Sequence, residues 1–194
     1  DYGKTPSVSL RPSRYGYAFS SYLDSSGSAV TAVTSEKYTK DSPICARYSI
    51  VTYTVTYITN GAASIQNGDY TVENHISPLP DPSYTGYEFG GWFTSPAFDD
   101  DALTSTDGFA QDLILYAKWT PKDVSFTLQI TLPSEADVGA FETALKEKLT
   151  GFGGLSVSAE GTLVTATFTA KYGENVSSLN TLLSDITVDG AIAG

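Results

Sequence analysis

The sequence has few of the side chains that enzymes and metal sites need. Its 194 residues include one cysteine, one histidine and no methionine. A single cysteine excludes an intrachain disulfide, and a single histidine leaves no His/Cys cluster for zinc. The chain also lacks a Gly-x-Ser-x-Gly nucleophile elbow and the Gly-rich loops that bind phosphates or dinucleotides. We therefore expect no enzyme and no catalytic, cofactor-binding or metal-binding residues.

Positive charge is also scarce, since 22 acidic residues stand against 11 basic ones and the net charge is −11. A chain of this sign repels phosphate backbones, so nucleic acid is not an expected partner. No apolar run approaches the roughly 18–20 residues that cross a membrane as a helix, which predicts a soluble segment. The charge is concentrated in residues 49–120, and solubility of an exposed domain explains it. A cation site or a basic partner is the alternative.

Methionine is missing even at position 1. We therefore expect the chain to begin after a processed or engineered terminus, with any signal peptide or anchor outside it. Few cysteines together with many Ser, Thr, Tyr and Gly residues are typical of exported, strand-rich chains. These features favour an exported, extracellular chain.

What the sequence does contain is an aromatic-rich unit written twice. Residues 15–23 (YGYAFSSYL) align with residues 85–93 (TGYEFGGWF), with the glycine and the phenylalanine in register. Residues 44–48 (ICARY) align with residues 115–119 (LYAKW), and an aromatic residue closes both. Repetition of a whole unit builds length, reach or multivalency, whereas a catalytic site is normally assembled once.

The second copy, residues 49–120, has the clearer pattern. Residues 53–58 (YTVTYI) alternate bulky side chains with Thr and precede Asn60-Gly61, which predicts a strand followed by a tight turn. Prolines at every second position from 78 to 82 predict an extended loop without ladder hydrogen bonds. Further strands are expected at 69–72, at 87–93 with a bulge at Gly90-Gly91, and at 113–119.

These motifs, YTVTY, NG, GYEFGGWF and LYAKW within residues 53–119, resemble the Listeria–Bacteroides repeat, the B-repeat of internalin-type surface proteins. The resemblance implies a small β-grasp-like fold on exported bacterial proteins, with adhesive or spacer roles and no known catalytic residues. The motif residues define the fold, so none of them transfers as a binding site. One departure is Ala62, where the family usually has a second glycine.

Residues 1–48 are interpreted as a partial first repeat. Asp1-Tyr2 aligns with Asp69-Tyr70, so the equivalent of the strand at 53–58 is missing from the front. Three explanations stay open. The sequence is truncated within a longer array, the partial unit packs on its neighbour, or a partner chain supplies the strand by edge addition.

Residues 121–194 have a different pattern. Residues 124–132 alternate strictly, which predicts a half-buried strand. Ser134 and Asp137 form a capping box, which predicts a helix that ends at Gly151. A hairpin across Glu160-Gly161 is expected next.

A second helix from about Asn175 and a last strand at 187–190 complete the predicted order β-α-β-β-α(-β). This order is that of the ferredoxin-like split βαβ fold. The predicted fold class of the whole chain is therefore α+β. Three domains are expected: a partial repeat at 1–48, a complete β-grasp-like repeat at 49–120, and a small α/β domain at 121–194.

Two groups of residues are candidates for binding. Asp99-Asp100-Asp101, with Asp107 further on, could hold calcium, although the spacing does not match an EF-hand loop and a solvated acidic loop is the favoured explanation. Five aromatic residues could form a sugar-stacking platform: Tyr15, Tyr17, Tyr84, Tyr87 and Trp92. Because the rings recur at the same unit positions, core packing is favoured for them. A binding face would then use the loops at 24–43 and 94–112, which differ between copies.

Two single residues have structural explanations. His75 lies in a proline-flanked loop, which predicts an exposed loop residue. Cys45 takes the place that Tyr116 has in the second copy, which predicts a buried strand residue.

Together these features predict a non-enzymatic segment of a bacterial cell-surface protein. It would act as an adhesion or interaction module or as a spacer, with a surface protein or a glycan of host or bacterium as its partner. The alternative is a carbohydrate-binding accessory module of a larger surface enzyme.

Overall fold

The computed structural model describes residues 10–31, 43–133 and 136–174, together with the backbone of 187–188 and 191–192. In these ranges the chain is mostly β-sheet with one short helix, consistent with the predicted α+β class. The elements are β1 Tyr17–Leu23, β2 Cys45–Ile50, β3 Tyr53–Ile58, β4 Gly68–Tyr70, β5 Tyr87–Phe93, β6 Leu113–Pro121, β7 Asp123–Thr131, α1 Val138–Lys148, β8 Gly153–Glu160, β9 Leu163–Lys171, β10 Thr187–Val188 and β11 Ala191–Ile192.

The chain forms two compact units. Unit 1 comprises Asp1–Pro82 and Phe89–Lys118, and unit 2 comprises Ser83–Glu88 and Trp119–Gly194. The division into domains at 48 and 120 stays a prediction.

In unit 1 the first copy contributes an antiparallel hairpin. β1 pairs with β2 from Tyr17 opposite Ile50 to Leu23 opposite Cys45. The register shifts between Phe19 and Ser21, the place that corresponds to the glycine pair of the second copy. A bulge at this position bends the strand and increases its twist.

The complete repeat is built on a four-stranded sheet of order β4-β3-β6-β5. β3 runs antiparallel to β4 and parallel to β6, with Val55 opposite Leu113 and Ile58 opposite Tyr116. The strand predicted at 53–58 is confirmed, and Asn60 and Gly61 follow it with φ of +50° and +107° as a tight turn requires. Side chains on one face are buried: Val55, Tyr57, Tyr70, Leu113, Leu115 and Ala117.

Trp92 is the centre of this core. Its side chain is 1% exposed, and its ring centroid lies 5.0 Å from that of Tyr57 and 5.5 Å from that of Phe89. The indole nitrogen donates a hydrogen bond to the carbonyl oxygen of Pro80 at 2.7 Å. A buried indole N–H needs such a partner, so this bond fixes the proline loop against the sheet.

In unit 2, β7, β9 and β8 form an antiparallel sheet in that order, and α1 packs against it. The strand predicted at 124–132 and the hairpin across Glu160-Gly161 are confirmed. The buried core consists of Leu132, Phe141, Leu145, Leu149, Val157, Val164, Ala166 and Phe168.

The predicted start of this helix is wrong, and its predicted stop before Gly151 is confirmed. α1 begins at Val138 with Asp137 as its N-cap, because the Asp137 carboxylate accepts a hydrogen bond from the amide of Ala140 at 2.9 Å. Ser134 lies outside the described residues. The helix ends at Lys148 with Leu149 as its C-cap, before Gly151.

The C-terminal predictions are only partly covered. The helix expected from about Asn175 lies outside the described residues. β10 and β11 pair with each other as a short antiparallel hairpin, where one strand at 187–190 was expected.

Cys45 is exposed, so the prediction of a buried residue is wrong, although it does lie in a strand. Within the described residues β2 pairs only with β1, whereas its counterpart β6 also pairs with β3. Without that neighbouring strand less structure covers this position.

The core of unit 2 provides a stability test. Leu145 is fully buried between α1 and the sheet, so Leu145→Ala removes buried methyl groups and leaves a cavity. We expect the free energy of unfolding to fall by about 2–5 kcal/mol, measured by urea denaturation. Glu147→Ala, on the exposed side of the same helix, should change it by less than about 0.5 kcal/mol. Equal effects of the two variants would contradict this packing.

Burial also predicts a pH effect in unit 1. Tyr57 is 8% exposed, and burial raises the pKa of its hydroxyl above the ordinary value. The folded state therefore holds this proton more tightly than the unfolded chain, so the stability it contributes is complete below about pH 10 and is lost as the pH rises. In Tyr57→Phe we expect the urea midpoint to fall less between pH 9 and 11. An unchanged slope would contradict the burial effect.

Candidate functional site

A group of aromatic side chains that is a candidate for binding surrounds a glycine turn in unit 2. Gly86 adopts a φ of +81°, a conformation in which glycine is strongly favoured. The amide of Tyr87 donates to the carbonyl oxygen of Tyr84 at 3.0 Å, and the amide of Lys122 donates to that of Gly86 at 2.9 Å. The turn is thus closed on itself and tied to the residues that follow β6.

Four aromatic rings, which we call the aromatic cluster, pack around this turn: Tyr84, Tyr87, Trp119 and Tyr172. Tyr84 stacks on Tyr87 with centroids 4.6 Å apart and planes 8° apart. The edge of Trp119 meets Tyr84 at 5.5 Å, and Tyr172 meets Tyr87 at 5.6 Å and 75°. Offset stacking and edge-to-face contacts are the favoured geometries of such rings.

Tyr172 is the exposed member of the cluster. Its side chain is 41% exposed, while the other three rings are half-buried. Its amide donates to the carbonyl oxygen of Lys122 at 2.8 Å. Tyr172 is therefore the ring of the cluster that a sugar could reach from solvent.

The other predicted platform residues belong to unit 1. Trp92 is buried in unit 1, as core packing requires. Tyr15 is 64% exposed, so core packing is wrong for this residue. Tyr17 lies beneath the guanidinium of Arg14, whose Cζ is 3.8 Å from the ring centroid. The hydroxyl of Tyr17 donates to the carboxylate of Glu73, and this hydrogen bond raises the pKa of Tyr17.

In the acidic loop, the carboxylate of Asp100 is hydrogen-bonded by a residue at the start of the same loop. Asp100 accepts hydrogen bonds from the amide of Thr94 at 2.9 Å and from the Thr94 hydroxyl, and the hydroxyl bond is the main cause of a lowered pKa at Asp100. Among the described residues no three Asp, Glu, His or Cys side chains are grouped as metal ligands. Calcium binding by Asp99–Asp101 therefore stays a prediction.

His75 is partly buried, with its side chain 30% exposed and its Nε2 atom 3.4 Å from the carboxylate of Asp107. The prediction of an exposed loop residue is wrong, because His75 packs beside the loop that carries Asp107. This pair also uses the carboxylate that was expected to assist Asp99–Asp101.

Two members of the cluster were missed. Trp119 could have been identified from the sequence, because it aligns with Tyr48 as the aromatic residue that closes each copy. Tyr172 could not, because it follows β9 as an ordinary residue and meets Tyr87 only after folding.

The described residues contain no helix that is both long and apolar enough to span a membrane. Residues 53–118 match the family model of the Listeria-Bacteroides repeat domain, which confirms the resemblance drawn from the sequence.

The chain is also similar to two proteins of Evansella cellulosilytica. A "Putative Gly-rich membrane protein" is 24% identical over 120 residues, which are 61% of this chain and 14% of that protein. A "Putative membrane protein" is 24% identical over 95 residues, which are 49% of this chain and 14% of that protein. The chain therefore matches about one seventh of the length of these relatives. No solved structure gives a significant match.

Proposed function

We propose, from the premise that residues 53–118 are a Listeria–Bacteroides repeat, that the chain is a non-enzymatic segment of a bacterial cell-surface protein. In that protein it acts as an adhesion or interaction module or as a spacer. The names of the two relatives support a location at the cell envelope. The activity and partners of the complete protein are part of this proposal.

The observation that carries the proposal is that the residues at repeated positions serve packing and turns. Trp92, which aligns with Tyr22 of the first copy, is buried and packs against Tyr57 and Phe89, and the repeated glycine closes a turn. Residues at the repeated positions thus serve the packing and the turns of the folded units. A chain whose repeated residues serve its own fold is suited to act as a spacer or to present a neighbouring domain.

Two finer statements on the fold belong to the same proposal. The parallel pair β3 and β6 within a mixed sheet supports a β-grasp-like repeat. The order β7-β9-β8 places the first, third and second strands of unit 2 side by side, which supports a ferredoxin-like domain. Neither fold identifies a ligand.

A carbohydrate-binding accessory module is the second candidate, and the aromatic cluster is the observation that favours it. Stacked Tyr84 and Tyr87 support Tyr172 from one side, and Tyr172 is 41% exposed. An aromatic ring fixed in this way loses little conformational entropy when a sugar stacks on it.

Binding to arrayed glycans and extracellular-matrix proteins separates these functions. We expect an adhesion module to bind a surface protein with saturation, and Tyr172→Ala to leave this binding unchanged. Tyr116→Ala, a half-buried tyrosine outside the cluster, is the matched control, and circular dichroism checks that both variants fold.

Other results would point elsewhere. Saturable glycan binding that is lost in Tyr172→Ala and kept in Tyr116→Ala would replace the proposal with the carbohydrate-binding function. An array without any hit would remove adhesion and leave the spacer. Parallel arrays with calcium and with chelator test Asp99–Asp101 directly.

A further inference from the structure

The glycine turn of unit 2 has a counterpart in unit 1 at the aligned position. Gly16 adopts a φ of +73° and Gly86 a φ of +81°. The amide of Tyr17 donates to the carbonyl oxygen of Arg14 at 3.0 Å, matching the 3.0 Å bond from Tyr87 to Tyr84. Both turns therefore have the same internal hydrogen bond.

The backbone hydrogen bond that connects each turn to the end of its copy is also repeated. The amide of Val51 donates to the carbonyl oxygen of Gly16 at 3.0 Å, and that of Lys122 donates to the carbonyl oxygen of Gly86 at 2.9 Å. Val51 and Lys122 lie three residues after the aligned aromatics Tyr48 and Trp119. The same backbone bond thus closes both copies.

The side chains stacked on the turns occupy equivalent positions but differ in chemistry. In unit 1 the Arg14 guanidinium lies 3.8 Å from the Tyr17 ring centroid and 6.0 Å from that of Tyr48. In unit 2 Tyr84 takes the place of Arg14, with its ring 4.6 Å from Tyr87 and 5.5 Å from Trp119. Both groups present a flat face to the tyrosine, one by a cation–π contact and one by stacking.

Each turn is filled by a side chain from later in the chain. A Cβ built on Gly16 would lie 2.2 Å from Cγ1 of Val72, and one built on Gly86 would lie 2.2 Å from Cδ1 of Tyr172. Such distances do not occur between real atoms, so the side chain occupies the space that glycine leaves.

The residue after each of these side chains also lies near the turn tyrosine. Glu73 accepts the hydrogen bond of the Tyr17 hydroxyl. A Cβ on Gly173 would lie 3.5 Å from the Tyr87 hydroxyl oxygen. The chain therefore passes each turn in a similar way, although residues 71–74 (TVEN) and 171–174 (KYGE) are unrelated in sequence.

A positive φ alone does not bring a side chain to a glycine. Gly27, Gly108 and Gly161 have φ of +81°, +82° and +60°, and a Cβ on any of them would meet nothing within 4 Å. Gly91, at φ +107°, is also approached by a side chain, with Cβ of Ala102 at 2.9 Å. The contacts at Gly16 and Gly86 are closer, at 2.2 Å, and both lie in turns with the same hydrogen bonds.

We propose that the turn is a docking socket by which each copy holds the part of the chain that follows it. The socket comprises residues 14–17 with Tyr48 in the first copy and residues 84–87 with Trp119 in the second. The side chain that fills the socket, its occupant, is Val72 in the first copy and Tyr172 in the second. The next residue in the chain, Glu73 or Gly173, lies near the hydroxyl of the turn tyrosine. The glycine is required because any side chain would take the place of the occupant.

The proposal predicts energetic coupling between the glycine and its occupant. In the full chain, urea denaturation gives the equilibrium constant for folding of Gly86→Ala, Tyr172→Ala and the double variant. Gly86→Ala should reduce this constant about a hundredfold in the wild-type background. In the Tyr172→Ala background it should cost only the strain of alanine at positive φ, about tenfold. The coupling is then about tenfold.

Gly161→Ala is the control in unit 2, because it introduces the same strain at a site with open space. It should cost about tenfold in both backgrounds. The pair Gly16 and Val72 should repeat the coupling in unit 1, with Gly27→Ala as its control. Equal costs of Gly86→Ala in the two backgrounds would overturn the proposal, as would coupling at Gly161.

If Gly86→Ala fails to fold, hydrogen exchange of single amides gives a second test. The Lys122 amide, which donates to Gly86, should exchange about tenfold faster in Tyr172→Ala than in the wild type. Tyr116→Ala should leave it unchanged. Unchanged exchange of Lys122 in Tyr172→Ala would overturn the socket.

Discussion

A turn with no room for a side chain is the physical constraint that the two units share. At Gly16 and Gly86 the backbone needs a positive φ, and the space beside the α-carbon is already filled by Val72 or Tyr172. Conformation and packing therefore impose the same requirement at one position. A single atom added there would strain the backbone and displace the occupant together.

The constraint explains why different side chains can surround the same turn. Arg14 and Tyr84 share a position, but one contributes a charge and the other an aromatic face. What both provide is a flat surface over a tyrosine. The backbone geometry is kept while the side-chain chemistry varies, so the two turns differ in their response to salt: the cation–π contact is screened and the stacked pair is not.

Local patterns predicted much of the fold, and the failures have physical reasons. Strict alternation identified the strands at 53–58 and 124–132, because one buried face is a local property of a strand. The helix start failed because Ser134 and Asp137 are both good N-caps, and the amide of Ala140 bonds to the second. Tyr172 could not be predicted as part of the aromatic cluster, since its contact with Tyr87 depends on tertiary structure.

The parallel pairing of β3 and β6 determines how the repeat responds to tension. These strands are the first and last of the repeat and lie side by side, so a pull on its two ends drives them past each other. Their hydrogen bonds then carry the force together in shear. In the antiparallel hairpin of β1 and β2, a pull on the two ends would break the bonds one after another. We therefore expect the repeat to resist tension better than this pair of strands.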